Sequence, residues 1–311
     1  MEQKEAGQKI TAYKGLDMNF RCREFQYEAG KEYKSEKTVK VCRSGFHACT
    51  NPLEVWDYYP VCNSRFAEVE LGGVIDKEEG GGSKICSSEI KIKKELTLSD
   101  YIGLCVAWMN NLTKVGDNSA KIGSSGDSAQ IGSSGDSAQI GSSGDSAKIG
   151  SSGDYAKIGS SGDSAQIGSS GYSAKIGSSG DSAKIGSSGD SAQIGSSGYS
   201  AQIGSSGYSA QIGSSGDYAR IGSSGYSAQI GSSGDYAKIS SSGDYAVIMC
   251  AGIKSKAKAK KGSWITLSEW GIDGKRYVPV CVKTEQVDGV KIKEDTWYEL
   301  KDGVFVETTT D

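Results

Sequence analysis

An isoleucine returns every nine residues from Ile122 to Ile248, fifteen times and without a single insertion. No helix accommodates that interval, because nine residues are two and a half turns and successive isoleucines would land on opposite faces. Strict self-similarity at a short period marks a solenoid, in which each unit buries its apolar positions against the next. The unit reads G-S-S-G-(D/Y)-(S/Y)-A-(K/Q/R)-I. Alanine and isoleucine stand two apart and so share one face of a strand, with Ser or Tyr and Lys or Gln on the other. The S-S-G-D segment is turn chemistry, with glycine supplying positive φ and Asp bonding the local backbone. One strand per nonapeptide predicts a mainly β chain built on a parallel, two-sided β-solenoid of about 18 residues per coil, with Ala and Ile inside. Seven coils make a rod of about 34 Å. Such a coil also puts Tyr208 beside Tyr226 and Tyr218 beside Tyr236. A flexible Gly/Ser linker is the competing description, and the unbroken Ala-x-Ile register argues against it.

The ends of the chain are of another kind. Every Trp, Phe and Pro lies outside residues 109–263, so the aromatic material for ordinary cores is confined to the two flanks. The spacing predicts a small α+β domain over residues 1–94, a capping helix over 95–114, the solenoid over 115–253 and a β-rich cap over 254–311. Asn51 and Pro52 read as N-cap and first turn of a helix PLEVWDYY, followed by strands at 65–71 and 89–96. Ser99-Asp100 opens the second helix, with Ile102, Val106 and Met109 on one face, placed to cap the first coil. After the array, residues 262–270, 276–287 and a final pair of strands read as an antiparallel meander, the last two joined at Lys301-Asp302-Gly303.

Charge and cysteine usage exclude several classes. The net charge is −3, which points to neither a nucleic-acid partner nor a membrane surface. No run of 18 apolar residues and no apolar segment near the N-terminus predicts a membrane span or an export signal, so the cytosol is the expected compartment. The Asp of the repeat misses the calcium-nonapeptide register and is replaced by Tyr at 172, 199, 208 and 226. Lysines on the outer face argue against ice binding, and the weak acidity of the array argues against mimicry of duplex DNA. The eight cysteines form no CxxC and read as reduced thiols, with no cofactor expected. One zinc alternative exists: Cys42, His47 and Cys49, with Cys22 and Cys62 nearby.

Two strings at the N-terminal end, AYKGLDMNFRCREFQYEAGKEY (12–33) and CRSGFHACTNPLEVWDYYP (42–60), go with GIKSKAKAKKGSWITLSEW (252–270) and DTWYELKDGVFVE (295–307) at the other. Together they resemble a family of uncharacterised bacteriophage and prophage proteins that join such a module to a short-repeat array and such a C-terminal segment. The resemblance implies a mobile-element origin and no established activity. The expectation is therefore a non-enzymatic interaction protein that binds or sequesters a host factor or small ligand, with a counter-defence role. A virion or adhesin component is one alternative. The other is an ADP-ribosyltransferase-like enzyme within residues 1–94, for which Tyr13, Lys14, His47 and Glu70 are the catalytic candidates. Lys14 stands there where that fold's motif carries Arg, and Glu68 and Glu89 compete with Glu70 for the acid. Array tyrosines concentrate in the later repeats, so Tyr208, Tyr218, Tyr226 and Tyr236, with Arg220, are the expected binding surface of a twofold homodimer through the solenoid.

Overall fold

In the computed structural model, which describes residues 9–36, 38–61, 63–77, 82–112 and 120–309, each nonapeptide supplies one four-residue strand. The strands run from Lys121–Ser124 to Val247–Cys250 and alternate between two parallel sheets. Each pairs with its equivalent 18 residues on, as Ile140 with Ile158 and Ile149 with Ile167. The two-sided parallel solenoid with 18-residue coils is thus the fold. We call the sheet carrying Ile140 and Ile158 the first and the one carrying Ile149 and Ile167 the second.

The interior is wider than an Ala–Ile core. The strand reads (K/Q/R)-I-G-S, and the serine after glycine points inward with Ala and Ile, as Ala138, Ile140 and Ser142 show. That serine belongs to the strand, not to the turn. In the second sheet Ser151, Ser187 and Ser223 accept weakly, at 3.3–3.4 Å, from the backbone N–H two residues on. Six first-sheet serines from Ser142 to Ser232 leave their Oγ atoms buried without a partner.

The turns also differ from expectation. Positive φ falls on the residue before Ala, such as Ser182 (56°) and Tyr218 (58°), and not on glycine. Glycine before Asp is required for another reason: a Cβ on Gly180 would stand 2.0 Å from the Gly162 carbonyl oxygen of the preceding coil. The Asp side chains rise along the corner. Asp163 N–H donates to Asp145 Oδ1 (3.0 Å), Asp181 N–H to Asp163 Oδ1 (2.9 Å) and Tyr199 N–H to Asp181 Oδ1 (2.7 Å).

The C-terminal segment is not one meander but two hairpins, one on each sheet. Trp264–Asp273 continues the first sheet in parallel, and Arg276–Gln286 folds back antiparallel to it. Tyr298–Lys301 joins Lys256–Lys258 of the second sheet antiparallel, and Val304–Glu307 returns through Asp302 (φ 51°) and Gly303 (φ 70°). Reversal to antiparallel pairing ends the propagation of parallel coils. Glu269 links the hairpins by accepting from the N–H groups of Asp302 (2.9 Å) and Gly303 (2.8 Å). The array and its hairpins fall in one compact unit, Met109–Asp311, and Met1–Trp108 is a separate one.

In the N-terminal unit the long strands are β1 (Ile10–Leu16), β2 (Phe46–Cys49), β3 (Arg65–Lys77) and β4 (Lys84–Leu96). They pair antiparallel in the order β4-β2-β1-β3, and β3 pairs again with β4, so the four close on themselves. Asn51 caps as expected, its Oδ1 accepting from Leu53 N–H (3.0 Å), but the segment it starts is a 3-10 helix, Pro52–Asp57. The α-helix Leu98–Leu112 starts one residue early, with Thr97 Oγ1 accepting from Asp100 N–H. Tyr101 stacks on Phe66 at 4.0 Å and donates its hydroxyl to the Pro52 carbonyl. The helix thus buries its first turns within this unit. Of the expected capping helix over 95–114, residues 113 and 114 lie outside the described residues, as do residues 115–119 that lead to the first coil.

Candidate ligand-binding cleft

Strands β1 and β2 with the loops around residues 22–25 and 42–45 enclose a cleft of ≈ 770 Å³ in the N-terminal unit. Tyr59 closes one wall by lying against Gly15, where a Cβ would meet its ring at 2.3 Å. Lys14 points into the cleft and is only 3% exposed. Its Nζ donates to the His47 carbonyl (2.8 Å) and lies 5.2 Å from the Tyr27 ring centroid. Burial pushes the Lys14 amine below its ordinary value, and no carboxylate within ion-pair distance offsets it among the described residues.

Four more cations line the same cleft: Arg23, Lys34, Arg43 and Lys84. Lys34 is paired with Glu89 (2.9 Å), and Lys84 contacts Cys42 Sγ (3.2 Å) and stands over the Tyr58 ring (4.3 Å). Among the described residues, neither arginine side chain makes an ion pair or a hydrogen bond. Glu24 is the one carboxylate in the described lining. The chain is acidic overall, so this is a local concentration of positive charge. Aromatic rings make up much of the rest, with Phe25 43% and Tyr58 51% exposed.

Only part of the expected catalytic set meets here. Tyr13, Lys14 and His47 line the cleft, whereas Glu70 does not and is ion-paired with Lys9 (2.7 Å). His47 Nε2 accepts from the Cys42 backbone N–H (3.0 Å). Burial, then the Lys14 and Lys84 charges, hold the imidazole below its ordinary value. The zinc alternative does not assemble either: His47 Nε2 is taken by that backbone N–H, Cys42 faces Lys84, and burial raises the Cys49 thiol to about 12. Cys62 lies outside the described residues. Among the described residues no three His, Cys, Asp or Glu side chains converge as metal ligands.

The tyrosines of the array form two files, not one surface. Tyr208 and Tyr226 stack at 5.0 Å in turns leaving the second sheet. Tyr218 and Tyr236 stack at 4.9 Å in turns leaving the first sheet, on the other edge. The 18-residue pairing is as expected, and each file takes in a further ring of the same chain, Tyr199 against Tyr218 (5.1 Å) and Tyr245 against Tyr226 (5.3 Å). Arg220 belongs to a second-sheet strand and to neither file.

Residues 10–104 match the family model described as "Domain of unknown function (DUF7666)". The match covers well under half of the chain and contains the whole cleft. No curated protein and no solved structure matches the chain.

The cleft is legible in the sequence only in part. Tyr13, Lys14 and His47 stand among the candidate residues, whereas Arg23, Arg43 and Phe25 carry no signal of their own and join them only once the strands pair.

Proposed function

We propose that this chain is a non-enzymatic binding protein whose N-terminal cleft sequesters a small anionic ligand, with the solenoid as its rigid shaft. The observation that carries this reading is the concentration in one cleft of Lys14, buried without a counter-carboxylate among the described residues, with Arg23, Arg43 and Lys84. A buried amine gives up its proton more readily unless a partner supplies the opposite charge, which an anion entering the cleft would do. A strongly perturbed group in a cleft is a mark of a functional site. Catalysis of the ADP-ribosyl type is disfavoured because Glu70 stands outside the cleft. Phage or prophage origin, action in the host cytosol and a counter-defence role belong to the same reading, on the strength of the motif resemblance. Among the described residues no helix is long and apolar enough to cross a membrane.

A thermal-shift titration with pyrophosphate tests the reading. Saturation at about a hundred times Kd should stabilise the N-terminal unit by about 2.7 kcal/mol. Arg23→Ala/Arg43→Ala should remove most of that shift. Loss of NAD on incubation with the protein would overturn the non-enzymatic part.

Self-association through the shaft, if twofold, is proposed to use one tyrosine edge and not both. Light scattering on Tyr208→Ser/Tyr226→Ser and on Tyr218→Ser/Tyr236→Ser should find one pair indispensable. A monomeric wild type ends that proposal.

A further inference from the structure

The cleft joins two chemistries. An anion held at Lys14 has the Tyr27 ring beside it, and Phe25 lies 4.8 Å from Tyr27, centroid to centroid. On the other side, the His47 backbone carbonyl that accepts from Lys14 leads through the ring of His47 to Cys42, and Lys84 bridges from the Cys42 sulfur to the Tyr58 ring. A simple inorganic anion would compensate Lys14 and leave the exposed faces of Phe25 and Tyr58 wet. A purely aromatic molecule would cover those faces and leave Lys14 and the two arginines unanswered.

We propose that the ligand is a nucleotide, its phosphates held by Lys14, Arg23 and Arg43 and its base laid against Phe25 or Tyr58. Arginine and lysine are the usual partners of phosphate oxygens, and arginine offers them a planar fork of donors. Every base has a π-face, so aromatic stacking fits this class whatever the base. The cleft volume of ≈ 770 Å³ lies in the range of small-molecule sites, about 300–1,000 Å³. A mononucleotide fits that space, and a polynucleotide is disfavoured by the acidic balance of the chain as a whole.

The proposal rests on the anion-binding reading, and its test separates the two. Calorimetric titrations of the full chain should use pyrophosphate, the four common nucleoside diphosphates and a single-stranded oligonucleotide. At least one diphosphate should bind about tenfold or more tightly than pyrophosphate, the margin that stacking supplies. Phe25→Leu/Tyr58→Leu should reduce that diphosphate to the pyrophosphate level and leave pyrophosphate itself unchanged. Tyr58→Leu alone, at a half-exposed ring, serves if the double variant misfolds. If pyrophosphate binds and no diphosphate binds more tightly, or if the ring variants change nothing, the nucleotide assignment is wrong and the anion site stands. If an oligonucleotide binds more tightly than every diphosphate, the ligand is a nucleic acid and the assignment is likewise wrong. If nothing binds, both fall together.

Discussion

Two glycines three residues apart show how differently one residue type is used. At Gly180 an added methyl group would stand 2.0 Å from the Gly162 carbonyl oxygen, so the coils approach too closely for any side chain. At Gly177, on the outer face of the first sheet, nothing lies within 4 Å of the same position. Gly180→Ala should therefore lower the melting temperature of the array sharply, while Gly177→Ala should leave it unchanged or raise it, since glycine costs about 0.5–1 kcal/mol in a strand. Equal effects on the two melts would contradict the close-approach explanation. His47 gives a second expectation at this scale. Its imidazole is held below the ordinary 6.5, so the unfolded chain takes up a proton that the folded chain refuses. The stability from the neutral ring is full above about pH 6.5 and is lost as pH falls below it. Melting of the N-terminal unit should fall between about pH 7 and 5.5, and His47→Gln should flatten that slope.

Among the elements, the strands of the array carry the clearest ledger of gain and cost. Ile185 is fully buried between coils, and Ile185→Ala should destabilise the array by about 2–5 kcal/mol in denaturant melts. The first-sheet serines run the other way. Ser160, Ser178 and Ser196 bury hydroxyls without partners, each costing about 1–3 kcal/mol. Replacing all three with Ala should raise the melting temperature, whereas the same change at Ser151, Ser187 and Ser223 forfeits hydrogen bonds and should not. The repeat was legible because a nine-residue Ala-x-Ile register has one structural solution. The inward serine was not, because Ser-Ser-Gly reads as a turn wherever it stands. The tyrosine files divide between two edges for the same alternating reason that built the coil: odd and even repeats turn opposite corners. In the N-terminal unit the strands over 65–77 and 84–96 run longer than their apolar stretches suggested, since Gly72 and Gly73 pass through a bulge and do not end the strand.

The two units differ in how their side chains are engaged. In the solenoid the Asp side chains bind backbone N–H groups, the tyrosines stack on each other and the isoleucines fill the interior. Among the described residues of this unit no group of metal ligands converges, and its melting should be indifferent to chelator. The N-terminal cleft, by contrast, keeps a buried amine and, without an ion pair or hydrogen bond among the described residues, two arginines beside exposed aromatic rings. Under the proposed anion-binding function, an entering anion would supply the opposite charge that these groups lack within the chain. The direct measurement is a pyrophosphate titration of the wild type and of Lys14→Met, followed by melting and calorimetry, with circular dichroism confirming that both are folded. The wild type should bind and melt several degrees higher with ligand, and Lys14→Met should do neither. Equal binding by the two chains would show that Lys14 serves the fold alone, and no binding by either would show that the cleft is not an anion site.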